Sequence, residues 1–129
     1  MVSETVASLR LSARMLAWTL ALAPVFGHHS FMAEYDASKP VRLQGVVTRF
    51  DFVNPHSEIL LAVDSVNWSV ELSSPAGLLR RGVSRTMIHA GMRVKIEGYR
   101  SKDGGNRIYG LKVALDDGRV FALNAPDSR

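Results

Sequence analysis

Histidine is the residue type that brings the most evident chemistry to this chain of 129 residues, at positions His28, His29, His56 and His89. Imidazole nitrogen is a common ligand for copper, zinc and nickel, so histidines that meet in space can hold a transition metal. The chain contains no cysteine. Disulfides, thiolate metal sites and cysteine nucleophiles are therefore excluded, and a metal site has to combine histidine with amine, backbone or carboxylate donors.

The first 27 residues have the pattern of a secretory leader. Arg10 and Arg14 make its start basic, residues 15–26 form an uncharged and mostly apolar stretch, and Gly27 supplies the small residue expected before a cleavage site. The apolar stretch is too short to span a bilayer comfortably. We predict a signal helix over residues 1–27 that is removed by cleavage after Gly27, which would place the mature protein in the periplasm or outside the cell.

Cleavage after Gly27 would make His28 the first residue of the mature chain. Its free amine and ring Nδ1 can chelate one ion, His29 can add an imidazole, and His56 in an Asn-Pro-His turn is the best candidate to complete the site. Nitrogen donors of this kind favour copper(II), so copper is the candidate cofactor. The amine, with an ordinary pKa of about 7.7–8.0, must lose its proton to bind, so protons compete with the metal. The alternative is a polar arm at the start and a His56 ring that only holds its turn.

A basic set at Arg80, Arg81 and Arg85 is the candidate partner surface. Strand faces of small barrels that combine basic and aromatic residues often bind oligonucleotides or oligosaccharides. The leader takes two of the 16 basic and one of the 12 acidic residues, which leaves the mature chain with a net charge of only +3. A solvated mixed-charge face is therefore the simpler interpretation. Because export also separates the protein from nucleic acid, the expected partner is a protein or small ligand of the cell envelope.

The sequence offers little for catalysis. It contains no nucleophile elbow, no zinc-protease motif and no phosphate-binding glycine loop. Glu58 and Glu71 could approach each other in space, but their spacing does not require it. In an alternating strand Trp68 is expected in the core and Glu71 on the surface. We therefore consider a non-catalytic protein more consistent with the sequence than an enzyme.

An aromatic and acidic cluster lies just after the histidine pair. Phe31 and Tyr35 are four residues apart and are expected to pack together against the barrel. In the alternative interpretation, Glu34 or Asp36 adds an oxygen ligand beside the histidines.

The elements that must position these residues are mostly strands. Alternating or β-branched patterns predict strands over 41–53, 58–63, 66–72, 92–97, 109–115 and 119–123. The apolar positions of the first strand change parity along its length, which predicts a change of buried face at a glycine or bulge. Ser74 as N-cap, Pro75 at the first helical position and Gly82 after the end predict one short helix. Residues 102–106 and Asp117-Gly118 are hairpin signals.

Three strands, a short helix and two or more further strands are the order of an OB-fold-like β-barrel, with the helix closing one end. We predict a signal peptide over 1–27, an irregular arm over 28–40, an all-β barrel domain over 41–123 and a loose tail over 124–129. An SH3-like barrel or a small open sheet is the main alternative. No second long apolar segment follows the leader, so no membrane span is expected after its removal.

Short motifs are spread over nearly the whole predicted mature chain, at residues 28–31, 34–36, 45–47, 54–56, Trp68, Glu71, 74–75, 78–82, 91–92, Val94 and Gly98. Taken together, these motifs resemble a family of small exported bacterial proteins of unknown function. Members typically begin, just after the leader, with a His-His-Ser-Phe stretch, and they resemble OB-fold proteins in layout. The resemblance implies export and a β-barrel, and it implies no assigned activity. One departure is that Val83 follows Gly82, where members often have tryptophan.

Overall fold

The computed structural model describes residues 31–125, with side chains from Ala33 onward. The predicted leader, the pair His28 and His29, and residues 126–129 lie outside the described residues. None of the helices within 31–125 is long and apolar enough to cross a membrane.

The described chain is mostly β-strand, and the predicted all-β class with a short helix is confirmed. Its elements are α1 (Phe31–Glu34), β1 (Tyr35–Asp51), β2 (Glu58–Val63), β3 (Val66–Glu71), α2 (Pro75–Arg80), β4 (Arg93–Ser101), β5 (Arg107–Leu115) and β6 (Val120–Ala122). Residues 35–40 differ from the irregular arm expected there, because β1 begins at Tyr35. Backbone pairing with the end of β4 accounts for this extension, and such long-range pairing leaves no local sequence signal.

The strands close into a ring in the order β1–β2–β3–β5–β4 and back to β1. All pairings in the ring are antiparallel except the one between β3 and β5, which is parallel. The strands thus form a barrel-like sheet, and α2 lies between β3 and β4 as the order of elements predicted. Beyond the ring, β6 pairs with β5 through residues 112–114, on the same edge that β5 offers to β3.

The core lies inside this ring, and β1 bends around the core. Leu43 and Val47 point inward from the first half of β1, whereas Phe50 and Phe52 pack on the core from its end. The register of β1 against β2 shifts between Val47 and Arg49, and one extra residue at this point exchanges the inward and outward parities. A Cβ at Gly45 would lie 2.3 Å from the carbonyl oxygen of Ala62, so the close approach of β1 and β2 requires glycine there. The predicted change of buried face is therefore confirmed.

The short helix forms where the capping residues predicted it. The Ser74 side chain accepts a hydrogen bond from the Gly77 backbone N–H at 3.2 Å, and Pro75 occupies the first turn. Gly82 has a φ of +84°, the left-handed conformation that ends helices. Leu78 is fully buried and belongs to the core cluster. The helix thus contributes its apolar side to the core and leaves Leu79 exposed.

The parallel joint between β3 and β5 is short, with only three registered residue pairs. Asn124 supports it from the chain end, because its side-chain amide donates to the carbonyl oxygens of Glu71 at 3.1 Å and Gly110 at 2.8 Å. Asn124 is 5% exposed, so the loose tail predicted from this residue onward is wrong at its first position. The polar side chain of Asn124 indicated a solvated tail, but its amide group adds two hydrogen bonds at the short joint between β3 and β5.

Candidate functional site

Two carboxylates lie side by side on the outer surface of β2 and β3. Glu58 pairs directly with Glu71 across the two strands, and the residues next to them, Ile59 and Val70, point into the core. Since side chains alternate along a strand, both glutamates project outward. Each accepts a hydrogen bond from a hydroxyl group, Glu58 from Ser69 on the neighbouring strand and Glu71 from Tyr35. The expectation that Glu71 faces outward is met, and the structure shows it half-buried.

Tyr35 comes from the first residue of β1 and reaches the joint between β3 and β5. Its hydroxyl donates to Glu71 Oε2, and Arg107 Nη2 at the start of β5 donates to the same phenol oxygen at 3.2 Å. Its ring lies 5.6 Å from that of Tyr109, and only 2% of the residue is exposed. Burial, followed by the contact with Glu71, raises the pKa of Tyr35 well above its ordinary value. The phenol therefore stays protonated at neutral pH and acts as a donor to the carboxylate.

The segment that carries Tyr35 is also held by its backbone and by its neighbour. Tyr35 pairs with Ser101 at the end of β4, and the Lys102 N–H donates to the Glu34 carbonyl oxygen at 2.8 Å. The Glu34 carboxylate forms an ion pair with Arg107 at 3.5 Å. The hydrogen bond to Tyr35 raises the pKa of Arg107 further above its ordinary value. Glu34 and Tyr35 are therefore docked on the ring at several independent points.

Residues 36–39 separate this docked segment from the rest of β1. The register of β1 against β4 shifts between Tyr35 and Pro40, so these residues bulge away from the pairing. Within the bulge, the side chain and the backbone N–H of Ser38 both donate to Asp36. These bonds lower the pKa of the Asp36 carboxyl group, which is bonded within its own turn. Asp36 thus shapes the bulge, whereas Glu34 faces the ring.

His56 lies in the β1–β2 loop (residues 52–57), beside the same carboxylate. Its Nδ1 is 3.8 Å from Glu71 Oε1, and 47% of its side chain is exposed. The two groups are too far apart for a hydrogen bond, and they form an ion pair when the imidazole is protonated. Ser57, which is fully buried, fixes the loop because its backbone N–H donates to Ser73 and its carbonyl oxygen accepts from Leu72. The turn thus holds a partly exposed imidazole beside Glu71, and its role as a metal ligand stays a prediction.

The β4–β5 loop (residues 102–106) borders the opposite side of the cluster. Asp103 accepts hydrogen bonds from the Ser101 hydroxyl and the Gly105 backbone, and these bonds lower its pKa. Arg100 donates to the Gly104 carbonyl oxygen at 3.0 Å and lies over the ring of Trp68 at 5.0 Å. Trp68 is partly buried against the core, as expected from its place in the alternating strand. These bonds hold the β4–β5 loop in a fixed conformation next to Arg107.

These contacts bring together residues from four distant stretches of the chain. We call this surface the Tyr35–Glu71 face, and it consists of Glu34, Tyr35, His56, Glu58, Ser69, Glu71, Arg107 and Tyr109. It lies on β2, β3 and the start of β5, between the β1–β2 and β4–β5 loops, with Glu34 and Tyr35 docked against it. The sequence indicated Glu34, Tyr35, His56 and both glutamates separately. Arg107 stood out only as one of several basic residues in the second half of the chain. Its contact with Tyr35, 72 positions away, left no sequence signal, because the two residues meet only when the ring closes.

The predicted metal ligands are only partly accounted for by the described residues. His28 and His29 lie outside them, whereas His56 is on the Tyr35–Glu71 face. His89 is exposed, with its Nδ1 3.1 Å from the carbonyl oxygen of Ala90. Within residues 31–125, no three histidine or acidic side chains form a group that could hold a metal ion. The proposed ligand set of His28, His29 and His56 therefore stays a prediction.

The three arginines of the predicted basic surface differ in their contacts. Arg80 is exposed at the end of α2, whereas Arg81 donates to the carbonyl oxygen of Gly77 at 2.9 Å. Arg85 donates to the Phe52 carbonyl oxygen at 3.2 Å and lies over the ring of Phe52 at 5.2 Å. Two of the three guanidinium groups therefore stabilise the chain around them, and the partner surface on these residues stays a prediction.

The fold and the face define a small barrel-like β protein with a hydroxyl-bridged polar cluster on its outer surface. The chain belongs to a family of unknown function (DUF6152), whose model matches residues 17–111. The matched range includes every residue of the Tyr35–Glu71 face. No curated protein matches the chain, and no solved structure does.

Proposed function

We propose that the protein is an exported, non-catalytic module that binds a small ligand or protein of the cell envelope on the Tyr35–Glu71 face. The observation that carries the proposal is that Tyr35 of β1 and His56 of the β1–β2 loop meet at the Glu71 carboxylate on β3, while Arg107 of β5 donates to the Tyr35 hydroxyl. Besides stabilising the fold, these contacts hold the half-buried Glu71 carboxylate and the partly exposed His56 ring in fixed positions at the surface. The leader-like pattern of residues 1–27 supports export.

The chemistry of the face favours a ligand that donates hydrogen bonds or carries positive charge. Glu58 and Glu71 are directly opposite each other, and like charges in that arrangement repel. Each has one hydroxyl donor, from Ser69 and Tyr35 respectively, and carboxylate oxygens have lone pairs left over for a ligand. The raised pKa of Tyr35 makes its phenol a poor general base at neutral pH. Binding therefore agrees with the geometry better than proton-transfer catalysis does.

The test is a titration of the isotope-labelled mature protein, followed by NMR, with two probes. One probe is a muramyl disaccharide peptide, which represents envelope saccharides, and the other is spermidine, which represents cationic ligands. At least one is expected to shift backbone signals on the Tyr35–Glu71 face, and Glu71→Gln is expected to abolish the shifts.

Glu97→Gln is the matched control, because Glu97 is also an outward glutamate of the ring but lies on β4 and pairs with Arg42. Shifts that map to β1 and β4 around Arg42, or that persist unchanged in Glu71→Gln, would overturn the proposal. So would the absence of shifts with either probe at millimolar concentration.

A second candidate function is transition-metal binding, with copper favoured, by His28, His29 and His56. The observation in its favour is the orientation of His56, whose Nδ1 faces a carboxylate. Metal-bound histidines often direct one ring nitrogen toward a carboxylate and use the other for the metal.

This candidate is tested by titrating copper(II) into mature protein with a native His28 terminus. A version with one extra amino-terminal residue and the variant His56→Ala are expected to bind more weakly. His89→Ala is the matched control, because His89 is an exposed histidine with its ring at a backbone carbonyl. Equal and weak binding by all four proteins would exclude a site of this type.

A further inference from the structure

A second charged surface lies on the outside of β4. Arg93, Lys95 and Glu97 alternate along this strand with the buried residues Val94 and Ile96, so their side chains project outward. Arg93 and Lys95 are both exposed. Within residues 31–125, neither of them has an ion-pair partner. Their positive charges are therefore directed at solvent.

The strands on both sides of β4 add charge to this surface. Glu97 lies directly between Arg42 of β1 and Lys112 of β5 across the ladder. Arg42 Nε is 3.1 Å from Glu97 Oε1, so this ion pair neutralises the carboxylate. Lys112 is exposed, and in the described part of the chain it has no ion-pair partner either. The cations of Arg93, Lys95 and Lys112 are thus in excess.

An exposed apolar side chain adjoins these cations on β6. Val120 is 60% exposed, more than the other exposed large hydrophobic residues that the structure describes. It pairs with Ala114 of β5, which in turn pairs with Lys95 of β4. Residues directly opposite each other on antiparallel strands share a face of the sheet, so Val120 lies on the same surface as Lys95. We call this surface the β4 face, and it consists of Arg42, Arg93, Lys95, Glu97, Lys112 and Val120.

The β5–β6 turn (residues 116–119) borders the β4 face with charges of both signs. Arg119 Nη2 is 2.7 Å from Asp117 Oδ2, so this pair adds no net charge, whereas Asp116 adds one negative charge. The four cations of the face, set against Glu97 and Asp116, leave a net charge of +2. The surface is therefore positive even with its acidic neighbours included.

Negative charge is concentrated elsewhere on the ring. Asp51, Glu58 and Glu71 lie in direct register across β1, β2 and β3, and we call them the acidic row. In the order of the ring, β4 is next to neither β2 nor β3. An anionic partner is therefore attracted to the β4 face and repelled by the acidic row.

The spread of the cations favours an extended anionic surface over one small anion. At the backbone, Arg93 and Lys95 are about 7 Å apart along β4, and Arg42 and Lys112 are about 10 Å apart across it. Cations placed in this way can each contact a different phosphate group. Val120 favours a lipid layer over a soluble polyanion, because burial of an apolar side chain is favourable only where that side chain leaves water.

We propose that the β4 face docks the protein on an anionic phospholipid surface. The cations contact headgroup phosphates, Val120 enters the interface between headgroups and acyl chains, and the acidic row faces away from the lipid. Each basic residue near such a surface contributes little by itself, so docking is reversible and is weakened by salt. This docking involves none of the residues of the Tyr35–Glu71 face and is independent of a ligand there.

The first experiment is co-sedimentation with vesicles of equal parts phosphatidylglycerol and phosphatidylcholine, and with vesicles of phosphatidylcholine alone. Wild-type protein is expected to bind only the anionic vesicles and to be released by salt. The double variant Lys95→Gln and Lys112→Gln is expected to bind about tenfold or more weakly, whereas Glu97→Gln, which removes a negative charge, is expected to bind about fivefold more tightly. All proteins have the same amino terminus, so its contribution to lipid binding is common to them.

The matched control removes two cations from outside the β4 face. Arg49 pairs with β2, and Arg80 is exposed at the end of α2. The double variant Arg49→Gln and Arg80→Gln has the same net charge as the lysine variant and is expected to bind nearly as tightly as wild-type protein. If both double variants lose affinity equally, net charge rather than the β4 face controls binding, and the proposal is overturned.

The second experiment locates the contact. Because the chain contains no cysteine, a single introduced cysteine accepts one polarity-sensitive fluorescent label. A label at Val120→Cys is expected to shift its emission to shorter wavelength when anionic vesicles are added. A label at Asn67→Cys, an exposed position on β3, is expected to stay unchanged. The reverse pattern, or a shift at neither position while the vesicles bind, would refute docking through the β4 face.

Two other occupants are distinguished with the same proteins. Binding to dextran sulfate, a soluble polyanion, without binding to vesicles would refute lipid docking. A salt-sensitive dimer in sedimentation velocity, again without vesicle binding, would refute it too, because the β4 face would then pair with the acidic row of a second copy. Wild-type protein that binds none of these partners would overturn the proposal as a whole.

Discussion

Replacement of Tyr35 by phenylalanine isolates the contribution of one hydroxyl to the stability of the ring. The change keeps the buried ring and its contact with Tyr109 but removes the donor to Glu71 and the acceptor for Arg107. A hydrogen bond to a charged partner contributes about 1.5–3 kcal/mol. Glu71 is half-buried and water can replace part of the lost bond, so we expect a loss of about 1–2 kcal/mol. In a domain of this size such a loss lowers Tm by about 5–15 °C.

The assay is urea unfolding of wild-type protein, Tyr35→Phe, Glu71→Gln and the double variant. If the hydroxyl stabilises the fold through Glu71, the double-mutant cycle gives a coupling free energy of about 1 kcal/mol or more. A coupling below about 0.3 kcal/mol, which is the usual additivity error, would show that the two groups act independently. That result would refute the argument that Tyr35 stabilises the β3–β5 joint through this bond.

Comparison of wild-type protein with Tyr35→Phe also tests how the stability of the fold depends on pH. Burial, with the Glu71 contact next, raises the pKa of Tyr35 above its ordinary value of 10.0 in the folded protein. Above pH 10 the unfolded chain therefore loses a proton that the folded chain keeps, and stability falls as the pH rises. Below pH 10 the contribution is fully present. We expect wild-type protein to lose stability more steeply than Tyr35→Phe above pH 10, and parallel curves would contradict the assignment.

Three further predictions concern the joint, the strand bend and the leader. Asn124→Ala leaves the buried carbonyl oxygen of Gly110 and the partly buried one of Glu71 without this donor, so urea unfolding should show a loss of about 2–3 kcal/mol, and a change below about 0.5 kcal/mol would contradict this role. Gly45→Ala places a methyl group against a backbone oxygen 2.3 Å away, so the same assay should show a loss of about 1–3 kcal/mol, whereas unchanged stability would mean that β1 and β2 separate easily. Mass spectrometry of the periplasmic form should give His28 as the first residue, and an intact Met1 or a cut far from Gly27 would refute the predicted maturation.

Local patterns predicted much of the fold because each depends on neighbours in the chain. The helix caps at Ser74 and Gly82 satisfy or end a hydrogen-bond pattern within a few residues. The parity change between Val47 and Phe50 is visible because a bulge shifts every later side chain to the other face. The start of β1 at Tyr35 was missed, since its partner at Ser101 is 66 positions away in the sequence.

For the candidate site too, some features follow from the sequence alone and others only from the folded structure. Composition and spacing alone determined that no thiol chemistry is available, that the chain has a leader-like start, and that His28, His29 and His56 are the candidate nitrogen ligands. Closure of the ring decided that Tyr35, Glu71 and Arg107 form one network and that His56 faces the same carboxylate. The physical reason is that hydrogen bonds and ion pairs act over a few ångströms in space. Tyr35 is 36 positions from Glu71 and 72 positions from Arg107 in the sequence. These side chains come within that range only because β3 and β5 pair in the folded ring.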